Sequence, residues 1–180
     1  MRFLRSAMIV SLFPVMALAQ EVTNASYVTS TGEKVLCIES TVSLEKREAW
    51  KLFTTVEGLK KWIAPVVALD FRVGGQILTN YDKTKSVRDR GTIRLPILNY
   101  LDGDMITLKV KLNDKFPGKV RREDGNLQEI IQLKDMGNGR TLVKSSMVGW
   151  GVGPEWDKAY AFFAAGNKWT YQQLVANFRQ

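Results

Sequence analysis

The stretch that most constrains the fold is the last one, residues 154–178, PEWDKAYAFFAAGNKWTYQQLVANF. Its spacing predicts one long amphipathic helix. Pro154 suits a first helical turn, where its missing N–H costs nothing. Glu155 and Asp157 put negative charge at the positive end of the helix dipole. Large groups recur at Trp156, Tyr160, Phe163, Tyr171, Leu174 and Phe178, the stripe of a helix packed on something broad and apolar. Asn167 fills the gap in that stripe between Phe163 and Tyr171. A helix this rich in aromatics cannot stand alone, so the strands before it must form the surface that receives it.

Those strands are legible from period-two patterns and turn residues. A first strand is predicted over 35–43, followed by helices over 45–54 and 56–63. Ser43 is the expected N-cap of the first helix, and Pro65 ends the second. From residue 66 to 148 only strands and turns are expected. The segments are 66–73 and 76–81, joined at Gly74-Gly75, then 91–100, 105–112, 127–134 and 140–148. Pro96 places 91–100 at an edge or a bulge. Residues 105–112 alternate most clearly, with Ile106, Leu108, Val110 and Leu112 on one face. Residues 113–126, with Pro117-Gly118 and Asp124-Gly125, read as a long connection. The order is strand, two short helices, about six antiparallel strands and one long helix, an α+β arrangement.

Residues 1–19 read as a cleavable signal peptide. Arg2 and Arg5 precede a short apolar run, and Ala17-Leu18-Ala19 offers a cleavage site before Gln20. The run falls short of the roughly 20 residues of a membrane span. The expected location is therefore periplasmic or secreted, with no stable membrane insertion after the leader is removed. Residues 20–34 look like a flexible lead-in, and 35–180 form the domain. Without Arg2 and Arg5, 24 basic residues stand against 18 acidic ones, a net charge of +6. The basic residues are interspersed rather than clustered, which disfavours a nucleic-acid groove.

The 180 residues contain no histidine and one cysteine, Cys37. That removes the commonest general base and metal ligand, any internal disulfide, and any Ser/His or Cys/His nucleophile. Cys37 alternates with apolar neighbours and reads as a buried thiol. No metal-ligand spacing occurs, and no cofactor is expected.

Three stretches resemble a known family. They are VSLEKREAWKLFTTVEGLKKWIAP at 42–65, with Ala49-Trp50 and Gly58-Leu59 ahead of Trp62; LDFRVGGQI at 69–77; and VGWGVGPEWDKAYAFFAAGNKWTYQQL at 148–174. They are similar to the activator-of-heat-shock-protein-ATPase homologue family, within the START-like, helix-grip (SRPBCC) superfamily. The resemblance implies a sheet of about seven strands gripping the C-terminal helix, with a cavity between them. It also implies binding of apolar or amphipathic small molecules or activation of a chaperone ATPase. Cyclase- or dehydratase-like chemistry in the same cavity is the enzymatic alternative, and a protein partner is a further one.

Candidate site residues follow from the patterns. In LQEIIQLK, period two puts Leu127, Glu129, Ile131 and Leu133 on one face. If that face is internal, Glu129 is a buried acid, a ligand anchor or a weak candidate general acid/base; the opposite phase puts it in water. Asn167 shares the helix stripe and is expected to meet a ligand, with Tyr160, Phe163 and Tyr171 beside it. A slight rotation would instead bury Phe162 and Trp169 and move Asn167 to the edge. Trp150, in GWG, suits either turn packing or a lid over the ligand. Arg94 and Lys144 lie mid-strand and either receive an anionic group on the concave face or point to water. Trp50, Trp62, Trp156 and Trp169 read as core residues.

Overall fold

The computed structural model describes residues 22–178. The expected signal peptide lies outside the described residues. Nine strands form one antiparallel sheet: β1 (Val22–Asn24), β2 (Tyr27–Val28), β3 (Lys34–Val42), β4 (Val66–Asp70), β5 (Gln76–Asn80), β6 (Ile93–Leu101), β7 (Met105–Lys109), β8 (Gln128–Gly137) and β9 (Arg140–Val148). The helices are α1 (Lys46–Thr54), α2 (Val56–Lys60), α3 (Gly118–Glu123) and α4 (Pro154–Asn177). The strand order is β1-β3-β9-β8-β7-β6-β5-β4, with β2 also paired to β3. The first and last strands of the expected set, β3 and β9, are thus neighbours beside the β1 edge, while the hairpin β4–β5 forms the far edge.

The sheet is larger than the seven strands expected because residues 22–28, expected as a flexible lead-in, pair with β3. The backbone groups on that side of β3 find partners there, although the segment has few large apolar side chains. The connection 113–126 is also more ordered than expected. It carries α3 and a short 3-10 turn at Asp124–Asn126, and Val120 of α3 is fully buried. Helix α1 begins two residues later than Ser43 would place it, with Glu45 at the cap and no side-chain capping bond. Pro96 lies opposite Gln76 in β6, and a bulge follows at Ile97/Asn99.

One face of the sheet is apolar by strict alternation. Ile106 and Leu108 of β7, Ile131 and Leu133 of β8, and Val143 and Met147 of β9 are all buried on it. Helix α4 crosses this face. Trp156, Ala159, Tyr171, Leu174 and Val175 are its buried residues. Phe162 and Trp169 are 56% and 53% exposed, so the rotated alternative for α4 does not occur. Trp169 is accordingly not a core residue, whereas Trp50, Trp62 and Trp156 are.

The buried side chains fall into two clusters. One joins α1, α2 and the second half of α4 to the sheet around Phe53, Trp62, Ile131 and Leu174. The other joins α3 and the first half of α4 around Val120, Leu127, Met147 and Trp156. Cys37 is fully buried in β3, between β1 and β9, in line with a structural thiol. Among the described residues, no helix is long and apolar enough to cross a membrane.

Candidate functional site

A cavity of about 690 Å³ lies between the sheet and α4, drawing its walls from both clusters. Phe53 of α1, Leu59 of α2 and Trp62 just beyond it close one side. Ile77, Ile106, Leu108 and Ile131 pave the sheet, and Phe163, Asn167 and Tyr171 descend from α4. The mouth is marked by exposed Tyr81, Phe162 and Trp169, and by Lys85, Arg90, Lys111, Asp114 and Lys115. Arg90 and Asp114 pair across it at 2.7 Å.

Glu129 is the one acid among the apolar paving. In register it faces Leu108 on one side and Met147 on the other, so alternation turns it inward with Ile131. It is surrounded by protein and keeps only part of its surface, toward the cavity. Its Oε1 accepts a hydrogen bond from Ser145 Oγ at 2.6 Å and one from Tyr171 OH at 3.3 Å. Burial pushes the Glu129 carboxyl above the ordinary glutamate range, and these two bonds offset it only in part. Tyr171 is itself pushed well above the usual phenol value, by burial first and by the Glu129 charge second. Burial thus shifts both groups toward their neutral forms, in a hollow whose other walls are apolar.

Asn167 lines the same cavity. Its Nδ2 contacts Met147 Sδ at 3.2 Å, a thioether and hence a weak acceptor. Phe163 lines the cavity with one face and stacks on Phe116 at 5.6 Å between centroids. Four of the expected site residues, Glu129, Phe163, Asn167 and Tyr171, are thus brought together.

Three are not. Tyr160 and Trp150 lie behind Phe163. Trp150 packs on Tyr160, Phe163 and Trp156 with centroids 5.0, 5.8 and 6.4 Å away, and its Nε1 donates to the Met147 carbonyl. The GWG turn is fixed rather than lid-like. Gly149 has φ +81, and a Cβ on it would sit 1.9 Å from the Asn126 carbonyl oxygen. Arg94 is exposed and faces away from the cavity, because Ile93 and Leu95 take the inward positions of β6. Lys144 also points outward and pairs with Glu39 at 3.2 Å. Neither cation reaches the concave face.

Ser145 was missed by sequence reasoning. The alternation Thr141, Val143, Ser145, Met147 would have marked it as inward, but a serine between apolar residues carries no signal until its neighbour across the ladder is known. Phe116 and Tyr81 were missed because loops bring them to the mouth. Among the described residues, no group of three His, Cys, Asp or Glu side chains could hold a metal ion.

Comparison with known proteins agrees with this architecture. The solution structure of the Aha1 dimer from Colwellia psychrerythraea superposes with a TM-score of 0.62 at 14% identity, over 80% of this chain and 95% of that one. CalU16 from Micromonospora echinospora, in its solution structure, gives 0.64 at 16% identity over 91% and 78%. An HSP90 activator from Plasmodium falciparum gives 0.52 at 13% identity over 76% and 88%. At such identities the likeness concerns the fold. A search of curated proteins finds no match. The family described as Activator of Hsp90 ATPase homolog 1-like protein matches residues 43–179, nearly the whole described domain, and the chain belongs to that family.

Proposed function

We propose that the chain is an exported binding protein that holds one small apolar or amphipathic molecule between the sheet and α4. The observation that carries this reading is the cavity itself. Protein interiors are close-packed, with few voids larger than a water molecule. A hollow of about 690 Å³ with apolar walls and a few inward polar groups falls within the range of about 300–1,000 Å³ typical of ligand pockets. Export is supported by the order of charge, apolar run and small-residue site in residues 1–19.

The test is native mass spectrometry of the purified protein, followed by titration with pyrene as an apolar fluorescent probe. One equivalent should bind. Asn167→Trp, which fills the hollow from α4, should abolish binding while the variant stays folded by urea denaturation. Binding unaffected by a filled cavity would refute the reading.

A second reading is a protein-interaction role like that named for the Plasmodium neighbour, supported by the shared fold. It predicts stimulation of an Hsp90 ATPase that survives Asn167→Trp. An enzymatic reading of the cyclase or dehydratase type is favoured only by the Glu129–Tyr171 hydrogen bond, and it would require turnover that Glu129→Gln abolishes.

A further inference from the structure

The cavity holds more hydrogen-bonding capacity than the protein uses. Both bonds to Glu129, from Ser145 and Tyr171, end on the same oxygen, Oε1. Among the described residues the second oxygen, Oε2, has no partner. Asn167 donates only to the Met147 sulfur, and its Oδ1 likewise accepts from no described group. Both groups are partly buried against the cavity, where a bound molecule can supply the missing partners.

These two groups share one neighbourhood. Met147 faces Glu129 across the β8–β9 ladder, and Asn167 touches the Met147 side chain. Tyr171 lies one helical turn beyond Asn167 on α4 and bonds to Glu129. The unused carboxyl oxygen and the unused amide therefore flank the same stretch of cavity wall. The surrounding walls are broad and flat-sided, with Phe53, Trp62 and Phe163 among them.

Resting on the reading of the cavity as a ligand site, we infer that the ligand is an uncharged molecule with a broad apolar body, which places a hydroxyl group between Glu129 and Asn167. A hydroxyl both accepts and donates, so it can meet Oε2 whether or not the carboxyl carries its proton and still pair with the Asn167 amide on its other side. A carbonyl could only accept, leaving Asn167 Oδ1 unmatched. A carboxylate would bring a charge into an apolar hollow beside a second acid. The direction of the Glu129 shift agrees, because burial disfavours a charge at this point of the wall.

The experiment compares pyrene, 1-hydroxypyrene and pyrene-1-carboxylate by fluorescence titration against the full domain near neutral pH. A matched hydroxyl predicts that 1-hydroxypyrene binds at least about tenfold tighter than pyrene, and that the carboxylate binds more weakly than pyrene. Glu129→Leu and Asn167→Leu should each bring the ratio of the two affinities, 1-hydroxypyrene over pyrene, down to about one, whatever either change does to pyrene binding itself. Glu129→Gln, which can still donate from its amide, should keep most of the preference. Urea denaturation of each variant checks that it is folded. Equal affinity for all three probes, or tightest binding of the carboxylate, would overturn the hydroxyl inference and leave the ligand cavity standing. Failure of folded wild-type protein to bind any of the three would refute the cavity reading, and the inference with it.

Discussion

Glu129→Gln should change how the stability of the domain depends on pH. In the wild type, burial raises the carboxyl above its ordinary value. The folded chain therefore keeps its proton at a pH where the unfolded chain has released it. Wherever the native state binds more protons than the unfolded one, stability falls as pH rises. The loss begins at the ordinary glutamate value and is complete once pH has passed the raised folded value. A single group gives a slope of at most about 1.4 kcal/mol per pH unit, and the plateau equals about 1.4 kcal/mol for each unit by which the folded value is raised. Glutamine cannot titrate, and its Oε1 can still accept from Ser145 and Tyr171. In acid, where Glu129 is neutral in both states, the variant should thus lie within about 1 kcal/mol of wild type. Moving toward alkaline pH, the variant should become the more stable of the two. Tyr171 does not confuse the comparison, because its hydroxyl is pushed well above the ordinary phenol value and stays protonated. The assay is urea denaturation followed by tryptophan fluorescence from about pH 4 to about pH 9, a window that brackets the ordinary carboxyl value and lies below that of the phenol. The informative quantity is the difference between the two curves. A difference that stays flat across the window would show that water in the cavity solvates Glu129 as well as bulk solvent does. The picture of a neutral acid in an apolar hollow would then be wrong.

Trp62→Ala should cost about 3–5 kcal/mol in urea denaturation. The ring is 6% exposed, packs on Phe53 and Tyr171 with centroids 5.1 and 5.6 Å away, and donates from Nε1 to the Leu52 carbonyl at 3.0 Å. A variant of unchanged stability that lost pyrene binding would recast Trp62 as a ligand residue. Gly149→Ala should destabilise by more than about 1 kcal/mol, because it adds a Cβ against the Asn126 carbonyl at a backbone angle that L residues rarely adopt. A midpoint equal to wild type would mean that the turn between β9 and α4 is looser than its geometry. N-terminal sequencing of exported protein should start at or near Gln20, and a mature chain that retains Met1 would refute export through a cleaved leader.

The sequence by itself determined the α+β order, which residues share a strand face and the extent of α4, because these rest on short-range periodicity. The alternation of Ile106 and Leu108, or of Ile131 and Leu133, needs only the two-residue repeat of a strand to be read. The same repeat put Glu129 and Ile131 on one face, but it could not say which face was inside. That choice belongs to the sheet as a whole: β8 lies between β7 and β9, and its inward residues are those that meet Leu108 and Met147. Phe162 and Trp169 show the same limit on a helix, since spacing left a rotated seating open that would bury them, and only the seating of α4 on the sheet put them at the mouth. Residues 22–28 have little apolar content, and their order comes from the open side of β3, a property of another part of the chain. The pairing of Glu129 with Ser145 and Tyr171 joins groups 16 and 42 residues apart. No local pattern carries such a contact, because it exists only after the sheet closes over the helix and removes water from between them.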